Sequence, residues 1–165
     1  MLGRKFHVAT ICTGNICRSP MAEVVLKHLV AEDPWLEDRV SVSSAGTARW
    51  HVGDAMDSRA RAALDRAGYH LPGSPGAYAD TALLERQDLV VVMTRENRYD
   101  VQQRLKKRSA EVVLWRNLLE PGLDLDLADP YYGDEKDFDD CLAVLVSGGP
   151  PLLSLIRSRF VDEYR

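Results

Sequence analysis

Four short strand-like runs, three of them mainly apolar and rich in β-branched residues, recur along the chain, each followed by a segment of helical patterning, and that alternation leaves few architectures open. The runs are "FHVATIC" (6–12), "VSVSSA" (40–45), "DLVVVMT" (88–94) and "EVVLW" (111–115). Parallel strands need a crossover connection, and strands covered on both faces read as short continuous apolar stretches. The expected fold is therefore α/β, a parallel sheet with helices on both faces. At 165 residues it should form one domain over 1–165. Ligands in such sheets bind beyond the carboxyl ends of the strands.

The first helix places Met21, Val24, Val25, Leu29 and Val30 at helical spacings, with Ser19 and Pro20 expected as N-cap and first helical residue. A second is expected over "DSRARAALDRAG" (57–68), with Asp57 at its start and Gly68 at its end. A short helix around 81–86 and a charged one near 95–107 follow. The last helical region, about Phe138 to Tyr164, carries "SGGPP" at 147–151, which predicts a bend or split. No internal repeat or low-complexity segment is evident.

Charge narrows the partners. A net charge of -4 with both signs interspersed offers no cationic stripe for nucleic acid. The basic "QQRLKKRS" cluster reads as a solvated helix end. Runs such as "DLVVVM" are too short to cross a bilayer, so no membrane association is expected. The N-terminus has no long apolar stretch with a small-residue cleavage site, which predicts a cytoplasmic protein, with export by a route without a signal peptide left open. The three cysteines do not suit a disulfide framework, and the four histidines have no metal-ligand spacing, so neither a metal nor a cofactor is expected.

Two of those cysteines and an arginine share the turn after the first strand. Cys12 and Arg18 are separated by five residues, including Gly14 and Asn15, which tolerate left-handed backbone. In such a turn the N–H groups of Thr13, Gly14, Asn15, Ile16 and Cys17 can point inward as an anion nest, strengthened by the following helix N-terminus. Arg18 would close the ring with a bidentate fork that lysine lacks. Cys12 at the bottom of this cup is favoured as thiolate, and the Ser19 hydroxyl can donate to it. A thiolate beneath a phosphoryl group is poised for in-line attack.

Expelling a phenolate at neutral pH then requires a general acid that later serves as base. The acidic segment "LDLDLADPYYGDEKDFDD" lies in the connection after the fourth strand. Asp129, followed by the restricting Pro130, is one candidate; Asp124, Asp126 and Asp134 are the others. Tyr131 and Tyr132 offer flat faces for an aromatic substrate.

"VATICTGNICRSPMAE" together with "DPYYGDEKDF" resembles the low-molecular-weight protein tyrosine phosphatases, the bacterial members in particular. The resemblance implies a single three-layer domain with a four-stranded parallel twisted sheet. It implies hydrolysis of protein phosphotyrosine and small aryl phosphates through a phosphocysteine, by a monomer. Cys12 would be the nucleophile, Arg18 the phosphate clamp, Ser19 the thiolate partner and Asp129 the acid. It further implies that Asn15 and Ser44 support the loop, that Trp50 walls the cleft opposite Tyr131 and Tyr132, and that Cys17 forms a disulfide with Cys12 under oxidation.

The chain departs from the family pattern at two places. Gly73, Ser74 and Pro75 stand where the family usually has a loop-supporting His, and Thr94 where it has an acid. Both bear on loop stiffness and oxyanion preference. Arsenate reduction would need relay cysteines, and only Cys141 lies outside the loop. Protein arginine phosphatases resemble this loop but tend to carry Thr where Ile16 stands and lack the doubled tyrosine. A non-catalytic phosphate-binding module would not need Cys12 or Asp129.

Overall fold

The computed structural model describes residues 3–107 and 109–163. Its strands are β1 (Phe6–Cys12), β2 (Val40–Gly46), β3 (Leu89–Val92) and β4 (Glu111–Leu114), all parallel, in the order β2-β1-β3-β4. The helices are α1 (Arg18–Ala31), α2 (Ser58–Arg66), α3 (Thr81–Glu85), α4 (Arg95–Arg104) and α5 (Glu135–Glu163). The chain turns to opposite sides of β1 to reach β2 and β3, so the crevice at the carboxyl end of β1 is the topological switch point.

Alternation along the strands builds two cores. Val8, Leu89 and Val91 face α1 and α5, where Met21, Val25, Phe138, Leu145 and Ile156 are buried. Ala9, Ile11, Val90 and Val92 face the other layer, against Leu84 of α3 and Val101 of α4. This two-sided burial is why the strand runs read as continuously apolar.

Local chemistry fixes several boundaries. Asp57 caps α2 by accepting from the Arg59 N–H at 2.8 Å, and Gly68 ends it at φ 88°. α1 begins one residue before the expected cap: Cys17 holds that position without a side-chain cap bond. Ser19 is inside the helix because its hydroxyl is engaged by the turn described below. α4 stops at Arg104, short of the expected 107, because Leu105 is extended, and the Arg104 guanidinium turns inward to the carbonyls of Ala79 and Thr47.

The expected split at "SGGPP" does not occur, and α5 runs as one helix through Pro150 and Pro151. Packing explains the glycines. A Cβ on Gly148 would sit 2.5 Å from Trp115 Nε1, and one on Gly149 would sit 2.5 Å from Leu29 Cδ1. Trp115 itself leaves β4 to start a short 3-10 turn (Trp115–Leu118) and donates to the Val144 carbonyl at 3.3 Å. Tyr164, expected in this helix, lies outside the described residues. By length and composition Glu135–Asp162 is apolar enough to cross a bilayer, unlike the shorter runs considered from sequence. Here its apolar side, including Leu142, Leu152 and Phe160, is buried.

Candidate active site

β1 delivers Cys12 to the carboxyl edge of the sheet, and α1 starts at Arg18. The turn between them must pass from extended to helical backbone around a sulfur. Asn15 makes the passage with a left-handed φ of 57°, whereas Gly14 does not use that conformation. The twist carries the Asn15 N–H to 3.3 Å from Cys12 Sγ. Backbone donors from neighbouring segments brace the turn: Thr47 N–H to the Cys12 carbonyl, Ala48 N–H to Thr13 and Asp57 N–H to Ile16. Asn97 Nδ2 also donates to Thr13 Oγ1 at 3.1 Å. At Gly46 a Cβ would stand 2.6 Å from the Thr13 carbonyl, so only glycine lets β2 approach this closely.

Cys12 is 2% exposed. Ser19 Oγ lies 3.0 Å from its sulfur. The Asn15 amide donates to Ser19 Oγ at 2.8 Å and to Ser44 Oγ at 3.0 Å, and accepts from the Ala77 N–H at 2.9 Å. Arg18 is also buried. Its Nη1 donates to the Leu127 carbonyl at 3.0 Å, and its Nη2 stands 3.3 Å from Asp129 Oδ2. Its Nε is buried without a partner. A buried guanidinium with a spare N–H, in the same cleft as a sulfur that accepts from the Asn15 N–H, is suited to receive a tetrahedral oxyanion.

The four candidate carboxylates separate cleanly. Asp124 pairs with Arg98 at 2.9 Å, and Arg98 followed by Asn117 holds its carboxyl down to about 2. Asp126 accepts from the Arg95 N–H at 2.8 Å, which also holds its carboxyl below the usual carboxylate range. Asp134 accepts from the Asp137 N–H at 3.1 Å at the start of α5. Asp129 alone of the four lines the cleft with Cys12. Its Oδ1 accepts from the Tyr131 N–H at 3.1 Å, and the Leu127 N–H bond to the Met93 carbonyl at 2.9 Å ties the segment to the sheet edge.

The cleft has a volume of about 360 Å³. Thr13, Gly14, Ile16, Cys17 and Arg18 line its base, while Trp50, Tyr131 and Tyr132 form the rim, with Trp50 and Tyr132 strongly exposed. Tyr131 and Tyr132 meet edge to face, and the Arg59 guanidinium lies over Tyr131 at 5.4 Å. All three cysteines are free. Burial, then the Asp57 carboxylate, pushes the Cys17 thiol far up, and burial pushes Cys141 up to about 12. Cys141 does not line the cleft. No group of three or more potential metal ligands occurs among the described residues.

The sequence model of the low molecular weight phosphotyrosine protein phosphatases matches residues 7–159. The chain belongs to that family. It is 36% identical to a low molecular weight protein-tyrosine-phosphatase of Streptomyces coelicolor, over 93% of this chain and 95% of the relative. It is 38% identical to low molecular weight protein-tyrosine phosphatase A of Mycobacterium bovis, over 93% of each. A crystal structure of a protein tyrosine phosphatase from Entamoeba histolytica superposes with a TM-score of 0.84 at 27% identity, covering 93% of this chain and 98% of the other.

Within this phosphatase family the chain's two departures are filled by other contacts. Ser74 donates to Glu23 Oε1 at 2.6 Å, so the segment lacking a histidine is still tied beneath the turn. Thr94 caps α4 by accepting from the Asn97 N–H at 3.0 Å, and Asn97 reaches Thr13. Sequence reasoning missed His51, which lines the cleft with its Nδ1 3.0 Å from Asp54 Oδ2. It also missed Gly46, Glu23 and Arg59. The "SSAGT" segment carried a usable signal for Gly46, a glycine where a strand ends opposite the turn. Glu23 looked like an ordinary charge in a helix, and nothing local marks it.

Proposed function

We propose that this family member hydrolyses phosphotyrosine in proteins, and small aryl phosphates, through a phosphocysteine on Cys12. The observation that carries the reading is the placement of Cys12 Sγ within hydrogen-bond reach of the Asn15 N–H and the Ser19 hydroxyl, with Arg18 and Asp129 in the same cleft. Phosphoryl oxygens bind the inward N–H groups of residues 13–17 and the Arg18 fork, which frees Asp129 to face the leaving oxygen. The thiolate forms the S–P bond as the P–O bond breaks, and protonated Asp129 gives its proton to the phenolate. A water then attacks phosphorus, Asp129 takes its proton, and the S–P bond breaks to release inorganic phosphate. Trp50, Tyr131 and Tyr132 hold the aromatic ring, and Ser44 steadies Asn15.

Steady-state hydrolysis of an aryl phosphate, a phosphotyrosine peptide and a phosphoarginine peptide tests the assignment. Phosphotyrosine is expected to be preferred over phosphoarginine, consistent with Ile16 in the base of the cleft; the reverse preference sinks the substrate assignment. Asp129→Ala is expected to slow esters of weakly acidic phenols about 10²–10³-fold and activated esters much less. Equal losses on both would point to another acid.

We further propose that Cys17 protects Cys12. Peroxide converts the Cys12 thiolate to a sulfenic acid, which condenses with the Cys17 thiol to a disulfide and water. Wild type treated with peroxide is expected to regain activity on adding dithiothreitol, and Cys17→Ser to recover several-fold less. Equal recovery would remove Cys17 from this role.

A further inference from the structure

Arg59, in the first turn of α2, lies outside the set of residues that line the cleft and takes no part in the steps proposed for Cys12. Its guanidinium is gripped by Asp57: Nε donates to Oδ1 at 3.1 Å and Nη2 to Oδ2 at 2.9 Å. That carboxylate is itself well anchored. It is largely buried and caps α2, and the Asp57 N–H donates to the Ile16 carbonyl at 2.8 Å. The Arg59 side chain holds the Asp57 carboxyl below the usual carboxylate range, so the pair stays ionised at neutral pH.

The guanidinium fixed in this way spans two aromatic rings, one in the core and one at the cleft. Its centre is 4.6 Å from the ring centre of Phe138, which is fully buried, and 5.4 Å from that of Tyr131, which lines the cleft. Both distances lie within the ~6 Å at which a cation is attracted to a ring face. Nη1, the corner that Asp57 leaves free, stands 3.5 Å from the Gly133 carbonyl of the same loop as Tyr131. The other contacts of Tyr131 leave its ring loose. Its N–H bond to Asp129 fixes main chain, and its edge-to-face neighbour Tyr132 is 95% exposed and belongs to the same loop. Arg59 therefore ties the ring to α2 and to the core.

We propose that Arg59 is a specificity-determining positioning residue: it holds the Tyr131 ring as a fixed wall for the aryl group of the substrate and has no part in binding the phosphoryl group. The proposal rests on the reading of Tyr131 as a holder of the aromatic ring. Recognition then divides in two. The turn and Arg18 hold the anion, while Arg59, through Tyr131, holds the ring. A wall free to change rotamer must be ordered when substrate binds, and that cost falls only on ligands that carry an aryl group.

NMR titrations with inorganic phosphate and with benzylphosphonate, a non-hydrolysable aryl ligand, read the two parts separately in wild type, Arg59→Gln, Tyr131→Ala and the double variant. Arg59→Gln is expected to raise the benzylphosphonate Kd about three- to tenfold and to leave the phosphate Kd within about twofold of wild type. The double variant is expected to match Tyr131→Ala, because without that ring Arg59 has nothing to position. Equal weakening of both ligands, or a further loss in the double variant, would overturn the proposal and make Arg59 a support of the turn through Asp57. Weakening by Tyr131→Ala but not by Arg59→Gln would sink this proposal and leave the reading of the cleft standing; no effect of Tyr131→Ala would sink both. If Arg59→Gln does not fold, Asp57→Asn, which keeps a cap for α2 and breaks the grip on Arg59, must weaken benzylphosphonate selectively, and an unchanged Kd overturns the proposal.

Discussion

Serine at position 12 is expected to lower aryl phosphate turnover by roughly 10⁴-fold or more, equivalent to about 5.5 kcal/mol of transition-state stabilisation. The size follows from what surrounds the sulfur. The Asn15 N–H donates to that position, the Ser19 hydroxyl is within reach to do so, and Arg18 is a permanent donor. Such a setting stabilises an atom that is already an anion. Neither group that touches that position, the Asn15 N–H or the Ser19 hydroxyl, is a base able to deprotonate a serine hydroxyl, which ionises far less readily than a thiol. The cup itself stays intact, so inorganic phosphate should bind Cys12→Ser within a few-fold of wild type by calorimetry. Turnover equal to wild type would sink the mechanism, and lost phosphate binding would mean the substitution had collapsed the turn.

Arg18→Lys, which keeps the positive charge, is expected to lower kcat/KM about 10³-fold. Lysine is a point charge on a flexible stem, without two parallel N–H groups to match two phosphoryl oxygens. Arg18 also reaches the segment that carries Asp129, through the Leu127 carbonyl at 3.0 Å and Asp129 at 3.3 Å. One substitution therefore loosens the anion clamp and the acid loop together. Both kcat and KM should suffer, and adding Asp129→Ala should cost less in the Arg18→Lys background than in wild type. A loss under tenfold, or full additivity with Asp129→Ala, would show that the two sides of the cleft act independently.

How much of this could be read from the residues depended on how locally each feature is encoded. The strands declare themselves because two-sided burial writes an uninterrupted apolar run, as in Leu89–Val92. The pairing of Cys12 with Arg18 is legible because strand, turn and helix are contiguous in sequence. Asp129 is less so: four nearby aspartates compete, and what separates them is engagement with Arg95, Arg98 and the start of α5, all fixed only by folding. The "SGGPP" segment misled for a related reason. Its glycines answer to Trp115 and Leu29, residues distant in sequence, and local propensity cannot see a close approach between elements. Glu23 is the extreme case, since its two hydroxyl partners, Ser44 and Ser74, are brought to it by β2 and the segment after α2.

The turn around Cys12 is shaped by its neighbour's backbone, with β2 pressed against Thr13 at Gly46 where a single methyl would not fit. A mould of that kind divides the cleft into a part that resists redesign and a part that invites it. The seat proposed for the phosphoryl group takes its shape largely from main chain, so substitutions at the mouth leave that shape unchanged. The side chains free of the mould are Trp50, Tyr131 and Tyr132 at the mouth. Selectivity among phosphorylated targets can be retuned there while the reaction beneath stays the same.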